Sequence, residues 1–313
     1  MPLFGLHSGI GRGGGPLGPS IKDFMFVTTG NGDTSSIGRL YKMEINGENT
    51  LISKTELYAA PATSDEIVGV TSDVLNNHVY FQVDSASTTA DQILRCDLDG
   101  TNLTVIHGAT ASSYFCQSKR PNGLAVSPVD NKMWYGDGFW GTIRESDLDG
   151  TNQTTHITTG SSPNLATINP LLPSGGEVGA LVTNGGVRSF EVDDYAGTFV
   201  DGSGNIFFNG EGGIFDTDYF YASGGTGTLQ RVGVRPLNST VVTTTNGIAG
   251  AILGMSWYDF QVNSNVFFIN STGNKVSFVT KLFTTNLAVT DMTLDGTTYP
   301  TDMIDIHIAR HTL

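Results

Sequence analysis

The chain has 313 residues, 38 % of them hydrophobic and 15 % charged, with 40 glycines and a formal net charge of −14. The charged share is low against roughly 25 % in an ordinary globular protein, and so many glycines suit a fold built from turns. An acidic chain without clustered Lys and Arg is not expected to bind nucleic acid or an anionic membrane surface.

The first segment reads MPLFGLHSGIGRGGGPLGPS and holds seven glycines. It has no basic region followed by an apolar run, so no signal peptide is expected, and no stretch of the chain approaches transmembrane length. The expected location is a virion, with the cytoplasm as the alternative. Residues 1–20 cannot bury enough surface to order themselves. They are expected to form an N-terminal arm that docks Leu3, Phe4, Leu6 and Ile10 against another chain. The glycine run at 13–15 is no phosphate loop, because neither a Lys-Ser/Thr pair nor a helix follows it.

From residue 21 onward the pattern changes to short alternating strands. Lys22–Val27 (KDFMFV) is the first. A phrase then recurs: LYKMEINGEN from Leu40, ILRCDLDGTN from Ile93 and IRESDLDGTN from Ile143. Each copy is an alternating strand that runs into an Asn-Gly or Asp-Gly turn, which is expected to supply the positive φ of a tight hairpin. A period of roughly 50 residues is the mark of a propeller or solenoid. Weaker copies follow at Val187–Asp193, Leu229–Arg235 and Val276–Leu282.

The second unit reads as strands Ile67–Thr71, His78–Val83, Gln92–Cys96 and Leu103–His107. The third reads as Leu124–Ser127, Lys132–Tyr135, Thr142–Ser146 and Gln153–Thr158. The sixth reads as Ala251–Ser256, Asn265–Ile269, Lys275–Thr280 and Asn286–Thr290. The first unit lacks its opening strand, and the chain ends with one strand too many, Asp302–Ala309. The two irregularities cancel if the last strand fills the inner position of the first blade. The expected fold is all-β: a six-bladed β-propeller over residues 21–313, closed by the C-terminal strand so that no long sheet edge is left free.

The stretch PNGLAVSPVDNKMWYGDGFWGTIRESDLDGTNQTTHI, from Pro121 to Ile157, resembles one YWTD repeat of low-density-lipoprotein-receptor propellers. Those have a Pro-x-Gly-Leu-Ala inner strand, a Tyr-Trp-Thr-Asp second strand and a Leu-Asp-Gly turn. Here the second-strand motif is Trp134, Tyr135, Gly136 and Asp137. The second unit keeps Tyr80 and Phe81 at the aromatic positions, and the fourth to sixth units do not carry the motif. The resemblance implies the fold and says little about function.

The same stretch is similar to the senescence-marker/gluconolactonase family of six-bladed, metal-dependent lactonases. That resemblance implies a divalent ion in the central channel held by Asn122. Glu66 and Asn164 fall at corresponding places in the second and fourth blades, and Asp302 near that level in the closing strand. Such oxygen ligands suit Ca²⁺ or another hard cation. The family also expects an Asp in the fifth blade, where the chain offers only Gly204, Asn205 and Glu211. With the ring of ligands incomplete, no cofactor and no metal is expected.

Other chemistry is sparse. The DxDG pieces at Asp97 and Asp147 lack the later ligands of a calcium-binding loop. Histidines at 7, 78, 107, 156, 307 and 311 show no paired metal spacing. Gly254-Met255-Ser256-Trp257 is no nucleophile elbow. Asn-x-Ser/Thr at Asn102, Asn152, Asn238 and Asn270 is expected to stay unmodified. Cys96 and Cys116 read as two free thiols, with a single bridge between them as the alternative. Phe139 and Trp140, between two glycines, are candidates to stack on a sugar or anchor a protein; packing between blades is the alternative.

Three functions are consistent with these residues. The expected one is a non-catalytic virion structural or attachment protein of a bacteriophage. Its arm would insert into other virion proteins and its propeller would face a host-surface protein or glycan. The alternatives are a metal-dependent lactonase-like hydrolase and a general protein- or glycan-binding propeller.

Overall fold

The computed structural model describes residues 19–30, 37–47, 49–63, 65–85, 91–108, 123–137, 142–158, 165–170, 177–182, 186–191, 213–215, 219–223, 228–234, 237–244, 248, 250, 252–259, 264–280 and 288–313. In chain order the strands begin with β1 (Ile21–Thr29), β2 (Arg39–Asn46), β3 (Thr50–Leu51) and β4 (Thr55–Ala59). The next eight are β5 (Glu66–Asp73), β6 (His78–Asp84), β7 (Gln92–Asp97), β8 (Thr104–Gly108), β9 (Leu124–Ser127), β10 (Lys132–Asp137), β11 (Thr142–Asp147) and β12 (Thr154–Thr158). Then come β13 (Leu165–Pro170), β14 (Glu177–Val182), β15 (Gly186–Glu191), β16 (Gly213–Phe215), β17 (Tyr219–Ser223), β18 (Leu229–Val234) and β19 (Leu237–Thr244). The last are β20 (Ile252–Asp259), β21 (Ser264–Asn270), β22 (Lys275–Thr280), β23 (Thr290–Asp291), β24 (Thr293–Leu294) and β25 (Met303–Thr312).

These strands form antiparallel sheets in a β-propeller arrangement. Four sheets are four-stranded in simple order: β5 to β8, β9 to β12, β16 to β19 and β20 to β23. The described part of a further sheet is three-stranded, β13 to β15. The remaining sheet joins the two ends of the chain. In it β25 pairs with β1, β1 with β2, and β2 with β4, while β3 and β24 add a short parallel extension. The first strands lie side by side around a circuit: β25 beside β5, β5 beside β9, β9 beside β13, β13 beside β16, β16 beside β20, and β20 beside β25 again.

The core lies between the sheets, and strand alternation assigns each side chain to one gap. On β1, Phe24 and Phe26 face the β5–β8 sheet, while Met25 and Val27 face the β20–β23 sheet. On β21, Phe267 and Ile269 join the same core as Met25, whereas Val266 and Phe268 pack with Tyr221 of β17. Tyr80 of β6 reaches forward to Leu124, Met133 and Tyr135. Each of these described gaps is filled from both sides by buried apolar residues, so the sheets that border it depend on one another for burial.

The recurring Asp-Leu-Asp-Gly turn does not make the tight hairpin expected of it. Residues 98–103 and 148–153 separate the paired strands, and the positive φ falls on Gly100 (84°), Asn102 (54°), Gly150 (87°) and Asn152 (51°) rather than on an Asp-Gly pair. Asp99 Oδ1 accepts from the Thr101 amide and hydroxyl at 2.9 and 2.6 Å, and Asp149 does the same for Thr151. Asn102 and Asn152 donate to Asp97 and Asp147 at 2.6 and 2.7 Å. The turn is wider because it works between sheets. A Cβ on Gly100 would stand 2.6 Å from the Leu57 carbonyl of β4, and one on Gly150 at 2.6 Å from the Ile106 carbonyl of β8. Lys42 Nζ donates to the Leu98 carbonyl and the Tyr80 hydroxyl to the Leu148 carbonyl, so each sheet also grips the next sheet's turn. Glycine is required here twice over, by its φ and by backbone contact across the gap.

The YWTD-like segment is described over 123–137 and 142–157. Trp134 is fully buried and its indole N–H donates to Glu145 at 3.0 Å. Lys132 pairs with Glu145 at 3.0 Å and Asp147 at 2.8 Å, and His78 with Asp97 takes the place of Lys132 with Asp147 one sheet earlier. Strand positions in the second and third units match the sequence reading within two residues. The sixth differs at its edge: β23 is Thr290–Asp291, not Asn286–Thr290, and 286–287 lie outside the described residues. Cys96 is a free, buried thiol whose pKa burial raises to about 12, with Asp97 and Asp99 adding to the shift; Cys116 lies outside the described residues.

Candidate functional site

Three places carry buried polar or exposed apolar side chains: the entrance, the closing seam and the opposite face. The entrance is formed by the start of β5 and the residues before β25. Glu66 opens β5 and is only 4 % exposed. Asp302 does not belong to the closing strand as expected; it precedes β25 in a left-handed conformation, φ 56°, with its side chain exposed. Gly30 sits by both. Its N–H donates to the Asp302 carbonyl at 3.0 Å, and a Cβ there would lie 2.7 Å from Glu66 Cβ and Cγ. Asn122 and Asn164, the other ligands implied by the lactonase resemblance, lie outside the described residues, as do Phe139, Trp140, Leu3, Phe4, Leu6 and Ile10. Among the described residues no group of three or more His, Cys, Asp and Glu gathers to hold a metal ion.

The carboxylate that β25 does send into the ring is Asp305, fully buried and not singled out from sequence. Its Oδ2 accepts from the Val70 amide of β5 at 3.3 Å and its Oδ1 from the Ile306 amide at 2.8 Å, while Thr28 Oγ1 accepts from the Asp305 amide at 3.0 Å. On the other side a Cβ on Gly254 of β20 would stand 2.3 Å from Asp305 Oδ1 and 2.4 Å from its Cα. Asp305 thus ties the closing strand to β5 by a hydrogen bond and packs closely against Gly254 of β20.

Further along the seam lies a hydroxyl–imidazole–amide chain. Asn77 Nδ2 donates to the Thr312 carbonyl at 2.8 Å, which turns Asn77 Oδ1 toward His311 Nδ1 at 2.9 Å. An amide oxygen only accepts, so His311 carries its proton on Nδ1 and leaves Nε2 bare. Ser72 therefore donates to His311 Nε2 at 3.3 Å, and its oxygen accepts from His307 Nε2–H at 3.1 Å. Burial lowers the His307 pKa to about 3, with His311 adding to the effect, and burial also lowers the His311 pKa to about 4. The order nucleophile, base, orienter is present, yet both histidines are held neutral under the Phe24 and Phe26 rings, 5.8 to 6.3 Å away. Ser72 and His311 are buried. Burial favours the neutral form of both imidazoles, and the chain of hydrogen bonds clasps the closing strand to β5.

A second clasp lies on the other side of β25. Arg310 Nε and its terminal nitrogen donate to the two Asp23 oxygens at 2.8 and 3.0 Å, across a directly opposed strand pair. The Tyr258 hydroxyl of β20 donates to Asp23 Oδ1, and the Arg310 guanidinium stands over the Tyr258 ring at 5.8 Å.

The opposite face is where first strands turn into second strands. Here the ladder ends with Ser20 and Leu313 exchanging backbone hydrogen bonds of 3.2 and 2.8 Å. Around it stand exposed apolar side chains: Ile21 at 65 %, Leu75 at 64 % in the β5–β6 turn and Val129 at 65 % in the β9–β10 turn. No helix among the described residues is long and apolar enough to cross a membrane.

No known family's sequence profile matches the chain. No curated protein matches it in sequence. Its fold is found among solved structures. A chain from the crystal structure of a nidogen/laminin complex superposes with a TM-score of 0.67 and 15 % identity, over 93 % of this chain and 98 % of that one. A match of that extent at such low identity shows the fold alone, and the fold it shows is the β-propeller that the YWTD-like repeat implied.

Proposed function

We propose that the chain is a non-catalytic, protein-binding six-bladed propeller closed by β25, and that it serves as a structural or attachment protein of a virion, tail- or capsid-associated in a bacteriophage. Residues 1–20 anchor it to other proteins of the assembly, and the propeller is presented to a host-surface protein or glycan. The observation that carries the reading is the root of the arm. Ser20 leaves the ring at the end of the closing ladder, on a face with exposed apolar side chains. Support for six blades comes from the closed neighbour order of the first strands and from β25 filling the inner place beside β1. Support for a binding rather than a catalytic role comes from polar groups of the seam that are consumed in holding strands together. A Thr-, Ser- and Asn-rich, Lys-poor composition fits the exterior of a particle.

Electron microscopy of the native assembly, with an antibody against the propeller, tests the reading. Antibody density at a fixed radius on a particle is the expected result. Finding the protein only as free subunits in cells that make it overturns it.

A further inference from the structure

Eight large apolar side chains are well exposed among the described residues, and five of them, Ile21, Val74, Leu75, Val129 and Leu313, belong to one face. They come from three neighbouring connections: the β25/β1 end, the β5–β6 turn and the β9–β10 turn. Asn77 holds the second connection to the first through Thr312 and His311. Exposed apolar side chains gathered on one face are a candidate interaction surface. The arm begins at the same face. Pro19, just before the Ser20–Leu313 bonds, has no N–H with which to add a further ladder bond.

We propose that this face is the docking site for residues 3–10 of a second copy of the chain. The proposal rests on the anchoring role given above to the arm and names its partner. Three facts favour a second copy. Every copy supplies one arm and one face in equal number, so mutual exchange closes with a twofold axis. The arm's apolar residues Leu3, Phe4, Leu6 and Ile10 match the apolar face, and its only charged side chain, Arg12, meets a chain of net charge −14. Residues 11–19 are rich in glycine and span roughly 15–18 Å as a flexible tether. That length carries the anchors from one face to another set against it.

Sedimentation equilibrium of three full-length proteins and one deletion tests this: the native chain, Phe4→Asp with Leu6→Asp, Leu75→Asp with Val129→Asp, and a chain lacking residues 2–18. The substituted face residues are exposed, and melting curves check that each protein folds. The native chain is expected to dimerise with concentration, and each variant to associate at least tenfold more weakly. Mixing the face variant with the deleted chain is expected to restore a one-to-one complex, because one supplies an arm and the other a face. A native chain that stays monomeric overturns the proposal, as does a dimer indifferent to both sets of substitutions. A monomer whose residues 3–10 are protected from hydrogen exchange only when Leu75 and Val129 are intact also overturns it, since the occupant is then its own arm. If the native chain is monomeric and the deletion still fails to join its particle, the anchoring role survives and only the second-copy inference falls.

Discussion

At the scale of single residues, the molecule is held by polar groups at its seam. Asp23 accepts from Arg310 through both oxygens and from Tyr258, so three strands meet on one carboxylate. Asp23→Asn keeps the shape and removes the charge. With Asp23 mostly buried and Arg310 about a third exposed, the expected loss is about 1–2 kcal/mol, the range for a hydrogen bond to a charged group reduced for solvent. A urea titration reads it as a lower midpoint with an unchanged slope; an unchanged midpoint contradicts it. The histidine clasp carries a pH dependence whose sign is fixed. His307 and His311 titrate near 3 and 4 when folded, against an ordinary 6.5, so between those values the unfolded chain binds more protons. Stability is expected to be full above pH 6.5 and to fall as the pH drops toward 4, by about 2 kcal/mol or more at pH 5. Replacing both histidines with Asn should flatten that window. Urea midpoints that hold steady from pH 7 to pH 5 in the native chain would show that the clasp is not proton-sensitive.

At the scale of elements, the repeat made most strands readable. Period-two alternation on Lys22–Val27, His78–Val83 and Lys275–Thr280 placed them within two residues, because each strand is buried on alternating faces by different neighbours. The turn type was not readable. An Asp-Gly pair signals a tight hairpin locally, but the gap to the preceding sheet sets its shape, and Leu57 and Ile106 lie tens of residues away from the glycines they touch. The seam was readable as topology and not as chemistry. A surplus strand at the end predicted the pairing of β25 with β1, whereas the clasp of Ser72 and Asn77 with His307 and His311 joins segments some 235 positions apart. One local signal existed: DMIDIHIA sets Asp305 and His307 opposite isoleucines in a strand buried on both sides, which obliges each polar group to find a partner. The candidate site was readable only as a list, and Asp302 fell before the closing strand because its left-handed φ delays the strand's start to Met303. Ending the chain after Pro300 removes β25 and uncovers β1, β5 and β20 together. Loss of soluble folding is the expected outcome, seen as recovery only in the insoluble fraction. A soluble truncated chain with native-like circular dichroism would mean that the ring does not need its closing strand.

At the scale of the whole molecule, the proposed function makes the propeller the presented part and residues 1–20 the means of attachment. A glycine-rich segment loses much backbone entropy on ordering, and a few apolar anchors alone offset little more than that loss, so backbone hydrogen bonds to the partner are needed as well. Glycine suits that need by letting another backbone approach closely. Residues 1–18 lie outside the described residues, and if their role is attachment, removing them should leave the ring intact.

The claim that the arm carries a non-catalytic propeller into an assembly is tested most directly by producing the chain without residues 2–18 alongside the native chain and measuring how much of each co-purifies with the particle. The deleted chain is expected to melt within a degree or two of the native one and to be absent from the particle. Incorporation at the native level, with the arm gone, would contradict it.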